Sequence, residues 1–180
     1  VMKHTSIRSH FRPYSITRAR TTTINHAFAA AIAPCDIYDE LSVSDAVRRL
    51  GQDPQTDLSC VYCGGPAETW DHVRATVFNK RFSGHGHTLG NLLPCCKPCN
   101  SKKGNKAWHD YIERLGLDPE TLNDRKQRIS NYLNSFEANV SDFEKHPEYA
   151  QLEALKQEVL DIFKKADAIA AVLRGKEQSR

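Results

Sequence analysis

Two pairs of cysteines constrain this chain more than any other feature of its sequence. Cys60 and Cys63 form one C-x-x-C motif, and Cys96 and Cys99 form a second one further along. Each short turn lets two sulfur atoms converge on one ion, and a structural zinc ion takes four thiolate or imidazole ligands in a tetrahedron. The spacing therefore predicts a structural Zn²⁺ site with these four cysteines as its ligands.

The two remaining cysteines, Cys35 and Cys95, fit the zinc pattern less well. Only Cys96 has the two-residue spacing to Cys99, so Cys95 is a substitute ligand at most. We interpret Cys35 and Cys95 as ordinary small side chains. No cleavage pattern of a signal peptide stands out, and paired C-x-x-C motifs then favour a zinc site over a disulfide framework. We therefore expect a cytoplasmic protein.

Charge is distributed unevenly along the chain, although the formal net charge is only +3. Residues 1–35 contain no acidic side chain, and residues 60–106 are again rich in Lys and Arg. Basic segments are typical of nucleic-acid binding, but a solubilising surface explains them equally well. No apolar run approaches the ~20 residues that a membrane span needs, so we expect no membrane partner.

Asp71 and His72 stand between the two cysteine pairs. A carboxylate beside an imidazole can hold a hard metal ion and activate a water molecule, although most such dipeptides have no such role. Asn100 directly follows a predicted zinc ligand at the start of a predicted helix, and Lys103 shares its helix face. The zinc site would thereby fix the position of Asn100.

Taken in order, these motifs resemble the HNH endonuclease family. The shared pattern is C-x-x-C, Asp-His, Asn-Leu, C-x-x-C-Asn and Lys-Gly, and it covers residues 58–108. Asn100 stands where the last His of the family name would be, and a neutral amide can also serve as a metal ligand. The resemblance implies a ββα-metal core, in which a β-hairpin is followed by a helix and a catalytic divalent ion lies between them.

The resemblance also implies roles for individual residues. His72 corresponds to the general base that deprotonates the attacking water. Asp71 and Asn100 correspond to the ligands of the catalytic ion, expected to be Mg²⁺ or another divalent ion. Asn91 corresponds to a structural residue that holds the loop of the metal site and orients the histidine. The chemistry is consistent, because a divalent ion neutralises charge on the scissile phosphate and a histidine with a pKa near ~6.5 accepts a proton at pH 7.

Basic side chains near the motif are candidates for contacts with the phosphates of a nucleic acid. The expected DNA-binding residues are Arg74, Lys97, Lys102, Lys103 and Lys106. We interpret His85 and His87, which lie in a glycine-rich loop, as solvated positions; the alternative is that they contact phosphate or that one of them assists in the site. Trp70 and Trp108 are expected to lie in the core rather than to stack on bases.

The flanking segments favour helices. Residues 1–24 are interpreted as an extended basic arm, and short helices are expected after it, one of them capped by Ser44. A helix is predicted from Pro98 to Leu115, and Asp118-Pro119 is a strong signal for the start of another.

The last part of the chain has the most regular hydrophobic pattern. From Leu152 to Leu173 apolar residues recur in steps of three and four, which is typical of a coiled coil. We favour an antiparallel hairpin of the two C-terminal helices, and a homodimer interface through them remains the alternative.

The sequence thus predicts an α+β protein with a ββα-metal HNH core and zinc knuckles. The expected domains are residues 1–57, an N-terminal basic arm with short helices; residues 58–116, the nuclease domain; and residues 117–180, a C-terminal helical region.

The predicted function is metal-dependent hydrolysis of phosphodiester bonds in DNA, expected to be double-stranded. A restriction enzyme, a nuclease of a phage or mobile element, and a nicking enzyme all fit, and so does a toxin-type nuclease of low specificity. The alternative from a different class is a non-catalytic zinc-knuckle module that binds nucleic acid. Such a module would not need Asp71, His72 and Asn100 together, and their joint presence argues against it.

Overall fold

The computed structural model describes residues 3–136 and 140–178 and has an α+β fold, as predicted. In these ranges the helices are α1 (Ile16–Ile32), α2 (Glu40–Arg49), α3 (Lys97–Lys103), α4 (Trp108–Glu113), α5 (Pro119–Asn134) and α6 (Pro147–Gln178). The strands are β1 (Thr69–His72), β2 (Val77–Phe78), β3 (Arg81–Phe82) and β4 (Leu92–Cys95). Short 3₁₀ helices span His4–Ser9 and Phe143–Lys145.

The chain divides into two compact units. One consists of Val1–Phe28 and Glu144–Arg180, and the other of Ala29–Phe143. The segment 58–116 lies within the second unit, together with α2 and α5. This unit is larger than the predicted nuclease domain, residues 58–116, because residues of α2 and α5 belong to the same buried core as the strand pair.

The centre of the unit Ala29–Phe143 is a strand pair followed by a helix. β1 pairs with β4 in antiparallel register, with Asp71 opposite Leu93 and His72 opposite Leu92. β2 and β3 form a second small antiparallel sheet within the loop that connects β1 to β4. α3 begins directly after Cys96, and Cys95 at the end of β4 lies opposite Thr69 at the start of β1. The second cysteine pair therefore lies near the start of β1, whereas His72 lies at the other end of this strand.

The core beside this strand pair is formed mainly by β4, α4 and α5. Leu93, Ile112, Ile129 and Tyr132 are each almost completely buried. Burying a side chain of this size stabilises the fold by roughly 1.5–3 kcal/mol. The apolar faces of α4 and α5 therefore hold the strand pair in place.

Trp70 does not lie in the core, contrary to the prediction. Successive side chains of a strand point to opposite faces, and Asp71 occupies the inner face of β1. Trp70 consequently points outward and is 43% exposed. Trp108, by contrast, packs partly buried against the core, as expected.

The helix predicted from Pro98 to Leu115 is divided into α3 and α4. The chain leaves α3 at Gly104, which has φ 50° and ψ −126°. A residue with a side chain rarely adopts this conformation, so glycine permits the break. α4 then turns Tyr111 and Ile112 toward the core.

The N-terminal segment is helical from Ile16, whereas the prediction of an extended arm over residues 1–24 was wrong. The carboxylate of Asp167 accepts hydrogen bonds from the backbone N–H groups of Ile16 (2.7 Å) and Thr17 (3.0 Å) and from the hydroxyl of Ser15 (2.8 Å). These bonds satisfy donors that the first turn of a helix leaves unpaired. The cap comes from a residue far along the chain, so no local pattern indicates it.

Two other helix starts illustrate local capping. Asp118 accepts a hydrogen bond from the N–H of Thr121 at 2.9 Å, which confirms the predicted start of α5. α2 is capped by Asp39 instead of Ser44, and its first residue is therefore Glu40. α5 and α6 belong to different compact units, and the hairpin of the two helices stays a prediction. No helix within the described ranges combines the length and the apolar character that a membrane span requires.

Candidate metal centre and histidine site

The four cysteines of the two C-x-x-C motifs are positioned to bind one metal ion. The sulfur atoms of Cys60, Cys63, Cys96 and Cys99 all lie within 4.8 Å of one another. The Sγ atoms of Cys63 and Cys96 are 3.7 Å apart. Zinc–sulfur bonds of ~2.3 Å in a tetrahedron place neighbouring sulfurs ~3.8 Å apart, so the cluster has the dimensions of a structural zinc site.

Backbone hydrogen bonds shape both cysteine turns. The N–H of Gly64 donates to the carbonyl of Cys60 at 2.8 Å, and the N–H of Cys60 donates to the carbonyl of Gly65 at 2.7 Å. Gly64 has φ +80°, which favours glycine at this reversal. On the other side, the N–H of Asn100 donates to the carbonyl of Cys96 at 3.0 Å, which joins the second turn to α3.

The structure selects Cys96 over Cys95 for the cluster, as the spacing predicted. Cys95 is completely buried at the end of β4 and lies outside the group of four. Burial raises its pKa to about 12, and nearby Asp71 and Cys60 act in the same direction, so it stays a neutral thiol. Burial also raises the pKa of Cys99. A bound cation would supply the positive charge that a thiolate needs at that depth.

Asp71 forms a buried ion pair with Lys103. The Nζ atom of Lys103 lies 3.1 Å from Oδ1 and 3.0 Å from Oδ2 of Asp71, and the Tyr62 hydroxyl donates to Oδ2 at 2.6 Å. Lys103 also donates to the backbone carbonyl of His72 at 2.9 Å. Burial raises the pKa of Asp71, and the hydrogen bond from Tyr62 and the charge of Lys103 oppose that shift.

This pairing does not fit the predicted role of Asp71 as a Mg²⁺ ligand. Magnesium needs an octahedral shell and retains several water molecules, whereas Asp71 is 2% exposed and both of its oxygens are already bound. Lys103 is likewise unsuited to its predicted phosphate contact, because its side chain is completely buried. Both side chains act in this structure as a charged link between β1 and α3.

His72 pairs with His87. The Nε2 atom of His72 lies 2.9 Å from Nδ1 of His87, and the two rings are nearly perpendicular with centroids 4.8 Å apart. Burial lowers the pKa of His72 to about 4, and the charges of His87 and Lys103 act in the same direction. The His72 imidazole is therefore neutral at pH 7.

His87, which was expected to be a solvated loop residue or to assist in the site, is half-buried. Its backbone N–H donates to the carbonyl of Pro34 at 2.8 Å, and its carbonyl accepts from the N–H of Asp36 at 3.2 Å. Gly86 lies so close to Pro34 that a Cβ atom would collide with the backbone. The glycines beside the histidine were the only signal of this close approach in the sequence.

Asn91 fastens the loop between β1 and β4. Its Oδ1 accepts from the N–H of Arg74 at 2.9 Å, and its Nδ2 donates to the carbonyls of Arg74 (3.1 Å) and Gly86 (2.8 Å). Arg74 lies two residues after His72 and Gly86 directly before His87. One buried amide thus holds the segments that carry both histidines.

The other predicted DNA-contact residues remain at the surface. Arg74, Lys97, Lys102 and Lys106 are all exposed. Lys97 lies 3.7 Å from Glu68, and Lys106 donates to the carbonyl of Lys102 at 2.6 Å. Asn100, on α3, is half-buried.

No protein-family model, no curated protein and no solved structure matches this chain.

Proposed function

We propose that this protein is an endonuclease of the HNH type that hydrolyses phosphodiester bonds in DNA, with His72 as the general base. The observation that supports this most strongly is the pairing of His72, at the end of β1, with His87, in which Nε2 of His72 lies 2.9 Å from Nδ1 of His87. The same strand pair leads into α3 through the four-cysteine cluster. This order of strand, strand and helix is compatible with the ββα core that the sequence motifs imply.

In the proposed reaction the pairing with His87 selects the tautomer of His72. When His72 donates its Nε2–H to Nδ1 of His87, the Nδ1 atom of His72 is left as a proton acceptor. A water molecule then attacks the phosphorus while its proton passes to this Nδ1. The bond from phosphorus to the leaving oxygen breaks, and that oxygen takes a proton from solvent.

Exposed basic side chains support a polyanionic substrate. Arg74 follows His72 on the connecting loop, and Lys97 and Lys102 lie on α3. Contacts of such residues with phosphates position the substrate and carry no sequence information. We therefore assign Arg74, Lys97, Lys102 and Lys106 to binding of the DNA backbone.

A divalent ion would neutralise charge on the scissile phosphate in such a reaction. Asp71 offers no free oxygen while it is bound by Lys103 and Tyr62, so we assign no ligand set to this ion. The requirement for Mg²⁺ stays a prediction, and chelation tests it directly.

The first experiment measures cleavage of supercoiled plasmid by the zinc-loaded protein, with Mg²⁺ and with a chelator of Mg²⁺. We expect the His72→Ala variant to cut roughly 10²–10⁴ times more slowly, because the proton acceptor is removed. His109→Ala is the matched control, since His109 is exposed on α4 outside the site. Discrete fragments would indicate restriction-type specificity, open circles a nickase, and a smear a nonspecific nuclease.

A protein that binds DNA and zinc but cuts none of several plasmids, methylated and unmethylated, would contradict the proposal. That outcome would favour the alternative, a zinc-knuckle module without catalytic activity. Equal rates of cutting by His72→Ala and the parent protein would show that His72 is not the general base.

A second variant tests His87 as a positioning residue. His87→Ala should lower kcat by roughly tenfold with little change in KM, since one hydrogen bond that orients the base is lost. His87→Asn should recover most of the loss, because its Oδ1 can accept the hydrogen bond that Nδ1 accepts in histidine. His85→Ala, two positions away, is the control. An unchanged kcat in His87→Ala would contradict the role.

A further inference from the structure

α6 presents an apolar row to solvent. Leu155, Ile162 and Ile169 are spaced by seven residues and are 54%, 59% and 64% exposed. Val172 and Leu173 extend the row and are about equally exposed. Isolated apolar side chains are common on protein surfaces, but a contiguous row of this length is typical of an interaction surface.

Another side of α6 is buried, and part of it contacts the start of α1. Tyr149 and Lys156 are each 6% exposed, and Asp167 caps α1. These residues lie on a different face of the helix from Leu155, Ile162 and Ile169. The exposed row is therefore a side of α6 that the fold leaves open.

The row has the spacing of a coiled-coil seam. Val159 and Ala166 occupy the a positions of a heptad in which Leu155, Ile162 and Ile169 occupy the d positions. Val159 and Ala166 are half-buried, whereas Leu173 at the next a position and the three d residues are exposed, so the seam is only partly covered. A strict seven-residue repeat of apolar side chains is typical of a helix that pairs with a second helix carrying the same repeat.

The charges beside the seam match a second copy of α6 in the opposite direction. The charged g positions are Glu158 and Lys165, both exposed. In an antiparallel pair the g positions of the two helices lie along the same side of the seam. When Val159 packs beside Ile162 of the second copy, Glu158 faces Lys165 of that copy.

A parallel pair lacks this complementarity. In a parallel coiled coil a g residue faces the e residue five positions further along the partner. Glu158 would then face Phe163, and Lys165 would face Ala170. Neither contact joins opposite charges.

We propose that two copies of this chain associate through antiparallel pairing of α6. The pair has a twofold axis, so Glu158 contacts Lys165 of the second copy and Lys165 contacts its Glu158. The apolar row supplies the contact area, and the two ion pairs set direction and register. This inference does not depend on the proposed nuclease activity.

Sedimentation equilibrium of the zinc-loaded full-length protein at low salt tests the proposal. We expect a dimer, and we expect Ile162→Glu to dissociate it because a carboxylate would be buried in the seam. Glu158→Lys and Lys165→Glu should each weaken the dimer by roughly tenfold, since each places like charges at both ion pairs. Lys164→Glu is the control, because Lys164 lies away from the seam beside Asp161.

Mixing the two single variants gives the decisive result. In a mixed dimer the lysine introduced at position 158 of one chain faces the glutamate introduced at position 165 of the other. At the second site, the natural Lys165 of the first chain faces the natural Glu158 of the second. The mixture should therefore form a heterodimer of nearly parental affinity. Circular dichroism establishes that each variant is folded. A monomer at all concentrations, a dimer unaffected by Ile162→Glu, or failure of the mixture to recover affinity would each overturn the proposal.

Discussion

Replacing Cys63 by serine is expected to abolish tight zinc binding and to unfold much of the unit Ala29–Phe143. Structural zinc contributes on the order of 10 kcal/mol of apparent binding free energy in small zinc domains, and that energy stabilises the fold. The loss of one of four thiolates opens the tetrahedron and removes the link between the two cysteine turns. Metal analysis should give one zinc per parent chain, and thermal unfolding should show the loss of stability.

Cys35→Ser is the matched control, because Cys35 is also exposed and free but lies outside the cluster. It should bind zinc and unfold like the parent. A strong zinc chelator should reproduce the effect of Cys63→Ser on the parent protein, and added zinc should reverse it. A parent protein that binds no zinc even when zinc is added, or whose stability does not change when zinc is removed, would contradict the prediction of a zinc site.

Replacing Lys103 by methionine is the second change with a large expected effect. The side chains of Lys103 and Asp71 are 0% and 3% exposed and bind each other at 3.0 Å. Removing one partner of a buried ion pair costs about 3–5 kcal/mol, because the remaining charge is left uncompensated. The free energy of unfolding measured with urea should therefore fall by about that amount.

Lys102→Met, at the neighbouring exposed position of α3, should change the free energy of unfolding by less than about 0.5 kcal/mol. The double variant Lys103→Met and Asp71→Leu should recover part of the loss, because two apolar side chains leave no buried charge. Parental stability of Lys103→Met would show that the ion pair does not hold β1 to α3.

The features that could be predicted from the sequence depend on residues close together in the chain. The C-x-x-C spacing selects Cys60, Cys63, Cys96 and Cys99, because two ligands in one short turn converge on an ion in almost any fold. The start of α5 was predictable for the same reason, since Asp118 caps the helix that follows it by accepting from the N–H of Thr121, only three residues away.

Only the tertiary structure decided the surroundings of the candidate catalytic residues. The sequence pattern treats Asp71 and His72 as one unit, but strand geometry turns them to opposite faces, where Asp71 meets Lys103 and His72 meets His87. The cap of α1 by Asp167 is another contact between distant segments. Short-range spacing determines turns, caps and paired ligands, whereas burial and the partner of a charge depend on which distant segments the folded chain brings together.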